Sequence, residues 1–205
     1  MHASRNVLSR LSTLCIAAGI LLLMAPVAWV LYTGRETSEV QTAALAAWEG
    51  DRNPEPASKD RVSRNTGLVL MIPRLGVRRF VPDGATPEHL RQYGVGRITW
   101  TALPTDPGTL GIAGHRTTYG APFFRLDRLE PGDTILVDYA GHRYTYRVER
   151  QVTVTPDRAD ALQYSTGARG IALVTCSPPY SAALRLIVFG SLERGDLASS
   201  ANVSP

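Results

Sequence analysis

The sequence predicts a mainly β domain, a small antiparallel or mixed barrel with short helices, preceded by one N-terminal transmembrane helix. Three observations predict it. Residues 11–32 form an apolar run that no charged residue interrupts. From Gly67 onward, short runs rich in Val, Ile, Leu and Tyr are separated by Gly and Pro, the texture of many short strands joined by turns. Within 143–154, Tyr144, Tyr146 and Val148 alternate with Thr145, Arg147 and Glu149, the two-residue period of a strand with one buried face. A composition of 44% hydrophobic and 20% charged residues is that of a globular chain.

The run LSTLCIAAGILLLMAPVAWVLY makes a helix of roughly 33 Å at about 1.5 Å per residue, enough for a bilayer core. Trp29 and Tyr32 stand where an interfacial aromatic belt belongs, and Pro26 is tolerable inside a spanning helix. Arg5 and Arg10 precede the run and only Arg35 follows closely. The positive-inside rule then makes residues 1–10 a cytoplasmic tail and puts the remainder outside the cell. The alternative is a cleaved signal peptide, whose apolar core of about 7–15 residues is shorter than this run. Residues 33–66 read as an extracellular stalk or linker. Glu39–Trp48 favours a short helix, and Asp, Asn, Pro and Ser dominate after Gly50.

The folded domain is expected over 67–195. LVLMI (68–72), VRRFV (77–81), TLGIAG (109–114), TILVDY (134–139), RYTYRVERQVTV (143–154), IALVTC (171–176) and LRLIVFGSL (184–192) read as strands. The AGH at 140–142 supplies a hairpin turn. Pro87–Tyr93 reads as a short helix capped by Thr86, and Ala121–Leu129 as a second. The polar tail at 196–205 is expected to fray.

The formal net charge is +4, and Arg5 and Arg10 lie outside the folded part, so there is no basic excess of the kind that marks a nucleic-acid binder. The two cysteines, Cys15 and Cys176, are too few for a disulfide framework or a Cys-rich zinc site. His89 reads as part of a solvated helix face and His142 as a turn residue. Neither has a second ligand at metal spacing, so no metal or cofactor is expected.

Cys15 falls in the apolar run, which leaves Cys176 alone in the outer domain. It ends a strand-like run, and Ser177-Pro178-Pro179 follows; proline lacks an N–H and stops the strand there. The thiol thus stands at a strand terminus facing a loop, though a lone cysteine can equally be a small buried hydrophobe. His115 lies just past another strand, in Gly114-His115-Arg116-Thr117-Thr118-Tyr119-Gly120. Arg185 opens the last strand nine residues after Cys176. A thiolate attacks a carbonyl, and a nearby cation favours that thiolate. Histidine can protonate a leaving amine, and arginine can hold an oxyanion. Cys, His and Arg suffice for amide cleavage through a thioacyl-enzyme, provided they meet in space. Arg116 reads as a salt-bridge residue, because adjacent side chains on a strand point apart. Asp127 and Asp133 are candidate orienting groups, with Asp133 fitting a turn after Pro-Gly better.

GHRTTYGAPFFRLDRLEPGD, LVTC and PPYSAALRLIV resemble sortases, the cysteine transpeptidases of Gram-positive surfaces. IPRLGV, DGATPEHLRQYGVG and TALPTDPGTLGIAGH are similar to sortase sequence as well, so the resemblance covers roughly residues 67–192. It is most similar to class E of the actinobacteria, with class D as near neighbour. The resemblance implies an eight-stranded β-barrel. It implies that Cys176 attacks the Thr–Gly amide of an LPxTG-like or LAxTG-like C-terminal sorting signal on a secreted protein. His115 would be general acid and then base, Arg185 would hold the oxyanion, and Thr175 would line the oxyanion region. Tyr119, Tyr180 and Ser181 would bind substrate, although each tyrosine could equally fill the barrel wall. The acceptor would be an amine of lipid II or peptidoglycan, or a pilin lysine. The chain departs from the class E pattern at Val95–Trp100 and in its second proline, Pro179.

Two other functions stay open at this level: a cysteine hydrolase that passes the thioacyl group to water, and a non-catalytic anchored binding module. An L,D-transpeptidase is less attractive, because the Gly-Cys-x-Arg character expected there is absent.

Overall fold

The computed structural model describes residues 2–51, 67–158, 162 and 169–193. A long helix, α1 (His2–Asp51), precedes eight strands: β1 (Gly67–Ile72), β2 (Val77–Pro82), β3 (Val95–Arg97), β4 (Gly108–Gly114), β5 (Thr134–Tyr139), β6 (His142–Val154), β7 (Arg169–Ser177) and β8 (Leu184–Leu192). A short helix, α2 (Pro87–Tyr93), and 3-10 turns at Pro73–Leu75 and Leu126–Arg128 complete the described elements. The strands form one sheet in the order β2-β1-β5-β6-β8-β7-β4-β3. Its two ends meet where Asp83 bridges Arg97 in parallel and their side chains form an ion pair, so the sheet is a nearly closed barrel. β4 and β7 pair in parallel, whereas the other strand neighbours run antiparallel.

Local chemistry explains several of these elements. The β5–β6 hairpin turns on Ala140 and Gly141, both with positive φ (50° and 80°), as a two-residue turn between right-twisted strands requires. Thr86 caps α2 by accepting from the His89 N–H at 3.3 Å, Pro87 supplies its first turn, and Gly94 (φ 75°) ends it.

Leu68, Leu70, Ile72, Ile112, Val137, Tyr144, Tyr146, Leu173 and Val188 are among the side chains that fill the barrel. A second cluster lies on the other side of the sheet, where Leu162, Ala172, Ile187 and Phe189 are joined by Ile98, Val152, Val154 and Val174. A bulge in β6 between Val148 and Arg150 makes this possible. Before it, Tyr144, Tyr146 and Val148 point inward. The extra residue reverses the alternation, so Val152 and Val154 point outward.

Three sequence expectations are corrected. The span read as stalk is helical through Asp51, and Thr33, Thr37, Gln41 and Trp48 are buried along one face of α1. Gln41 accepts from the Phe80 N–H at 2.9 Å and donates to the carbonyls of Phe80 (2.9 Å) and Tyr93 (2.7 Å), covering the free edge of β2. No helix spans Ala121–Leu129. Ala121 is left-handed (φ 42°), and only the 3-10 turn Leu126–Arg128 forms, because the chain bends to put the Phe123 ring beneath Gly114. His89 is half-buried rather than solvated, with its ring against Gly84 and Nδ1 enclosed. The three-residue β3 was too short to show as alternation in the sequence. The linker after Asp51 and the tail at 196–205 lie outside the described residues.

Candidate active site

β7 runs between β4 and β8, and each neighbour brings one residue to Cys176. Ala113 pairs with Val174, so His115 and Cys176 each stand two residues past the same rung of a parallel ladder. On the other side Cys176 pairs directly with Arg185, which pairs in turn with Val154. Strands lie about 4.8 Å apart, so the three predicted residues share one rim of the barrel. Cys176 is a free, partly exposed thiol on the outer side of the sheet. The rungs leading to it are apolar, with Val152, Ile187 and Val174 in one row and Ile98 and Leu162 packed over them. These side chains form a packed apolar cluster on the outer face, and the thiol stands at its end.

Gly114, just before His115, must lack a side chain, because a Cβ there would come within 2.5 Å of the Phe123 ring. The His115 N–H donates to the Gly94 carbonyl at 2.9 Å, and its carbonyl accepts from Phe123 at 3.1 Å. The ring lies 4.9 Å from that of Tyr119 and puts Nδ1 3.5 Å from the Thr118 hydroxyl, while Nε2 is enclosed without a protein partner. Burial, and secondarily the charge of Arg91, holds the imidazole pKa below its ordinary 6.5. His115 is therefore mainly neutral at pH 7.

Arg185 is held differently. Its Nη1 donates to the carbonyls of Ala182 (2.9 Å) and Leu184 (3.0 Å), folding the partly exposed guanidinium over its own loop. No hydrogen bond joins the thiol to either side chain. The register places them together, and substrate has to complete the contacts.

Thr175 faces the barrel interior, only 2% exposed, and donates its hydroxyl to the Gly114 carbonyl at 2.8 Å. It ties the nucleophile's strand to the strand end that carries His115. Arg116 does the same from the interior. Its Nη1 donates to the Cys176 carbonyl at 3.2 Å, and its Nη2 pairs with Asp127 at 2.9 Å. The ion pair was legible from strand alternation; the grip on the nucleophile's carbonyl was not. Asp133 serves a turn, accepting from the Glu130 N–H at 2.7 Å.

Tyr119 is half-buried beside His115, whereas Tyr180 is 83% exposed and so no part of the barrel wall. Ser181 braces the β7–β8 loop by donating its N–H to the Pro178 carbonyl (3.1 Å) and accepting from the Ala183 N–H (3.2 Å). Among the described residues, no three His, Cys, Asp or Glu side chains gather as a metal site.

The sortase domain family matches residues 70–193, a span that holds the whole rim. This chain belongs to the sortase family. Its members are cysteine transpeptidases, which agrees with a free, partly exposed thiol at a strand end. Sortase SrtE1 of Streptomyces coelicolor is 28% identical over 192 residues, 86% of this chain and 54% of the relative. Sortase SrtE2 of the same organism is 27% identical over 113 residues, 50% of this chain and 45% of the relative. This sortase thus spans about half the length of the curated relatives it matches. A crystal structure of sortase E1 from S. coelicolor with a tripeptide in the active site superposes with a TM-score of 0.60 at 29% identity, covering 63% of this chain and 88% of that one. A sortase D5 transpeptidase of Clostridium perfringens shares the fold at a TM-score of 0.66 and 22% identity, covering 76% and 99%. The structures that share its fold therefore include both class E and class D sortases.

Proposed function

We propose that this sortase is a membrane-anchored transpeptidase that cleaves an LPxTG-like or LAxTG-like C-terminal sorting signal between Thr and Gly and transfers the protein to an amine. Neutral His115 first takes the Cys176 thiol proton; the thiolate then attacks the threonine carbonyl carbon, and the carbonyl electron pair moves to oxygen, where Arg185 holds it. The tetrahedral adduct collapses as the amide nitrogen leaves with a proton from His115, which forms the thioester. An acceptor amine attacks that thioester while neutral His115 takes its proton, and the thiolate departs. The acceptor is an amine of lipid II or peptidoglycan, or a pilin lysine.

One observation carries the reading: strand register sets Cys176 between His115 and Arg185 at one rim of the barrel, beside an apolar cluster on the outer face of β7 and β8. The anchor is supported by α1. Leu21, Leu22 and Leu23 on this helix are all more than 70% exposed, an apolar surface that requires lipid to cover it. Arg5 and Arg10 set the N-terminus in the cytoplasm.

The test uses the full chain in detergent with an LAxTG-type peptide. Mass spectrometry should find the N-terminal peptide fragment as a thioester on Cys176, and Cys176→Ala should remove both adduct and cleavage. Undiminished cleavage by that variant overturns the mechanism. Added diaminopimelate or hydroxylamine should divert the fragment into an amide or hydroxamate. A free acid as the sole product in their presence identifies a hydrolase instead.

A further inference from the structure

The same helix that spans the bilayer touches the catalytic rim, and the contacts occur within its first turns outside the apolar run. A Cβ on Gly34 would come within 4.0 Å of the Gly120 nitrogen, and Gly120 in turn packs against Thr37. The Thr37 hydroxyl also reaches the Arg91 carbonyl at 3.4 Å. Higher on the helix, Gln41 holds Phe80 and Tyr93, and Glu49 pairs with Arg78 at 2.5 Å. At about 1.5 Å per residue, Gly34 stands roughly 3 Å and Thr37 roughly 8 Å past Tyr32, whereas Glu49 stands roughly 25 Å past it. The headgroup layer is about 5–7 Å deep on each side. Helix tilt only lowers these heights. The loop that leaves His115 is therefore level with the headgroups, and the Arg78 hairpin is well above them.

This loop has the surface chemistry of a membrane contact. Tyr119, Gly120 and Ala121 are all left-handed (φ 51°, 74° and 42°), which turns the chain sharply beside α1. Phe124 follows, 44% exposed, with its N–H closing a turn onto the Ala121 carbonyl at 3.0 Å. Arg125 is next to it, and Arg91 and Arg35 are exposed on the neighbouring turns of α2 and α1. The acids nearby are Glu36 and Glu39 on α1, Glu88 one turn before Arg91 on α2, and Asp127, which is already paired with Arg116.

We propose that residues 117–125 rest on an anionic phospholipid surface, with Phe124 inserted among the headgroups and Arg35, Arg91 and Arg125 over lipid phosphates, so that the His115 side of the rim opens at the bilayer. The inference rests on the anchored reading of α1. Its consequence is that the thioester forms and is resolved beside the membrane, where segments emerging from the bilayer reach it directly.

The test uses the full chain with Cys15→Ser and Cys176→Ala, carrying one new cysteine, either Phe124→Cys or Arg78→Cys, labelled with bimane. The protein is reconstituted into phosphatidylcholine vesicles with or without phosphatidylglycerol. Flotation after a carbonate wash reports anchoring by itself. If the chain does not float, the anchored reading fails and this inference fails with it. If it floats, headgroup-level spin-labelled lipid should quench the label at position 124 severalfold more than that at 78, and phosphatidylglycerol should raise the quenching at 124. Equal quenching at the two positions overturns the docking. Quenching at 124 that ignores phosphatidylglycerol overturns the role of the arginines.

Discussion

His115 and Arg185 flank one thiol from opposite neighbours of β7, and they are held in opposite ways. The imidazole is partly enclosed, with a carbon-rich surround and an unpartnered Nε2; the guanidinium is partly exposed and rests on two loop carbonyls. Burial holds the His115 pKa below its ordinary value, which favours the neutral form that can take a proton. A charge that must meet an oxyanion benefits from weak, replaceable contacts, because arginine stays cationic in either place. The difference teaches that position along the rim is set by strand register, but protonation is set by how much water each arm is allowed.

The largest expected effect breaks the His115 arm. His115→Asn removes the proton carrier and should lower kcat/KM for peptide transfer by about 10²–10⁴-fold. Thioester formation with a substrate whose leaving group needs no proton, such as an activated ester, should survive better than amide cleavage. An equal loss on both substrates would assign His115 a structural role. On the other arm, Arg185→Lys keeps the charge but loses the planar fork and should lower kcat by about 10²–10³-fold. Unchanged kcat would remove Arg185 from the oxyanion site.

A smaller effect tests the strut between the arms. Thr175→Val leaves the buried Gly114 carbonyl without its donor, at a cost of about 1–3 kcal/mol, visible as a lower Tm in detergent. An unchanged Tm would mean that Gly114 finds another partner. The finest test is Arg91→Gln, which removes the secondary cause of the lowered His115 pKa. The limb of the pH–rate profile governed by His115 should lie below pH 6.5 and move upward in this variant. Stability follows the same sign. Below about pH 6.5 the unfolded chain binds a proton that folded His115 resists, so stability falls as pH falls toward the folded value. A limb that stays in place would put Arg91 outside the field of the ring.

Much of this was legible in the sequence because the signals were local. The uncharged run, the Thr86–Pro87 helix start, the Ala140–Gly141 hairpin and the span of β8 depend on neighbours along the chain. Cys176, His115 and Arg185, the proposed catalytic residues, were legible as residue types at strand ends. Other features depended on partners distant in sequence. The helix through Asp51 and its packing were not legible because Gln41 looks solvent-facing until the open edge of β2 is known to need its hydrogen bonds. The expected helix at Ala121–Leu129 failed because Phe123 is drawn beneath Gly114.

By itself, the amino-acid sequence determined seven of the eight strands, the apolar run and the chemical identity of the candidate reactive groups, since propensity, hydrophobic period and side-chain chemistry are carried residue by residue. Only the tertiary structure decided that Cys176 pairs with Arg185 and stands level with His115, that a bulge turns Val152 and Val154 to the outer face, and that α1 reaches the loop after His115. The reason is physical: register and closure are fixed by packing between segments far apart in the chain, and no local preference encodes which rung meets which.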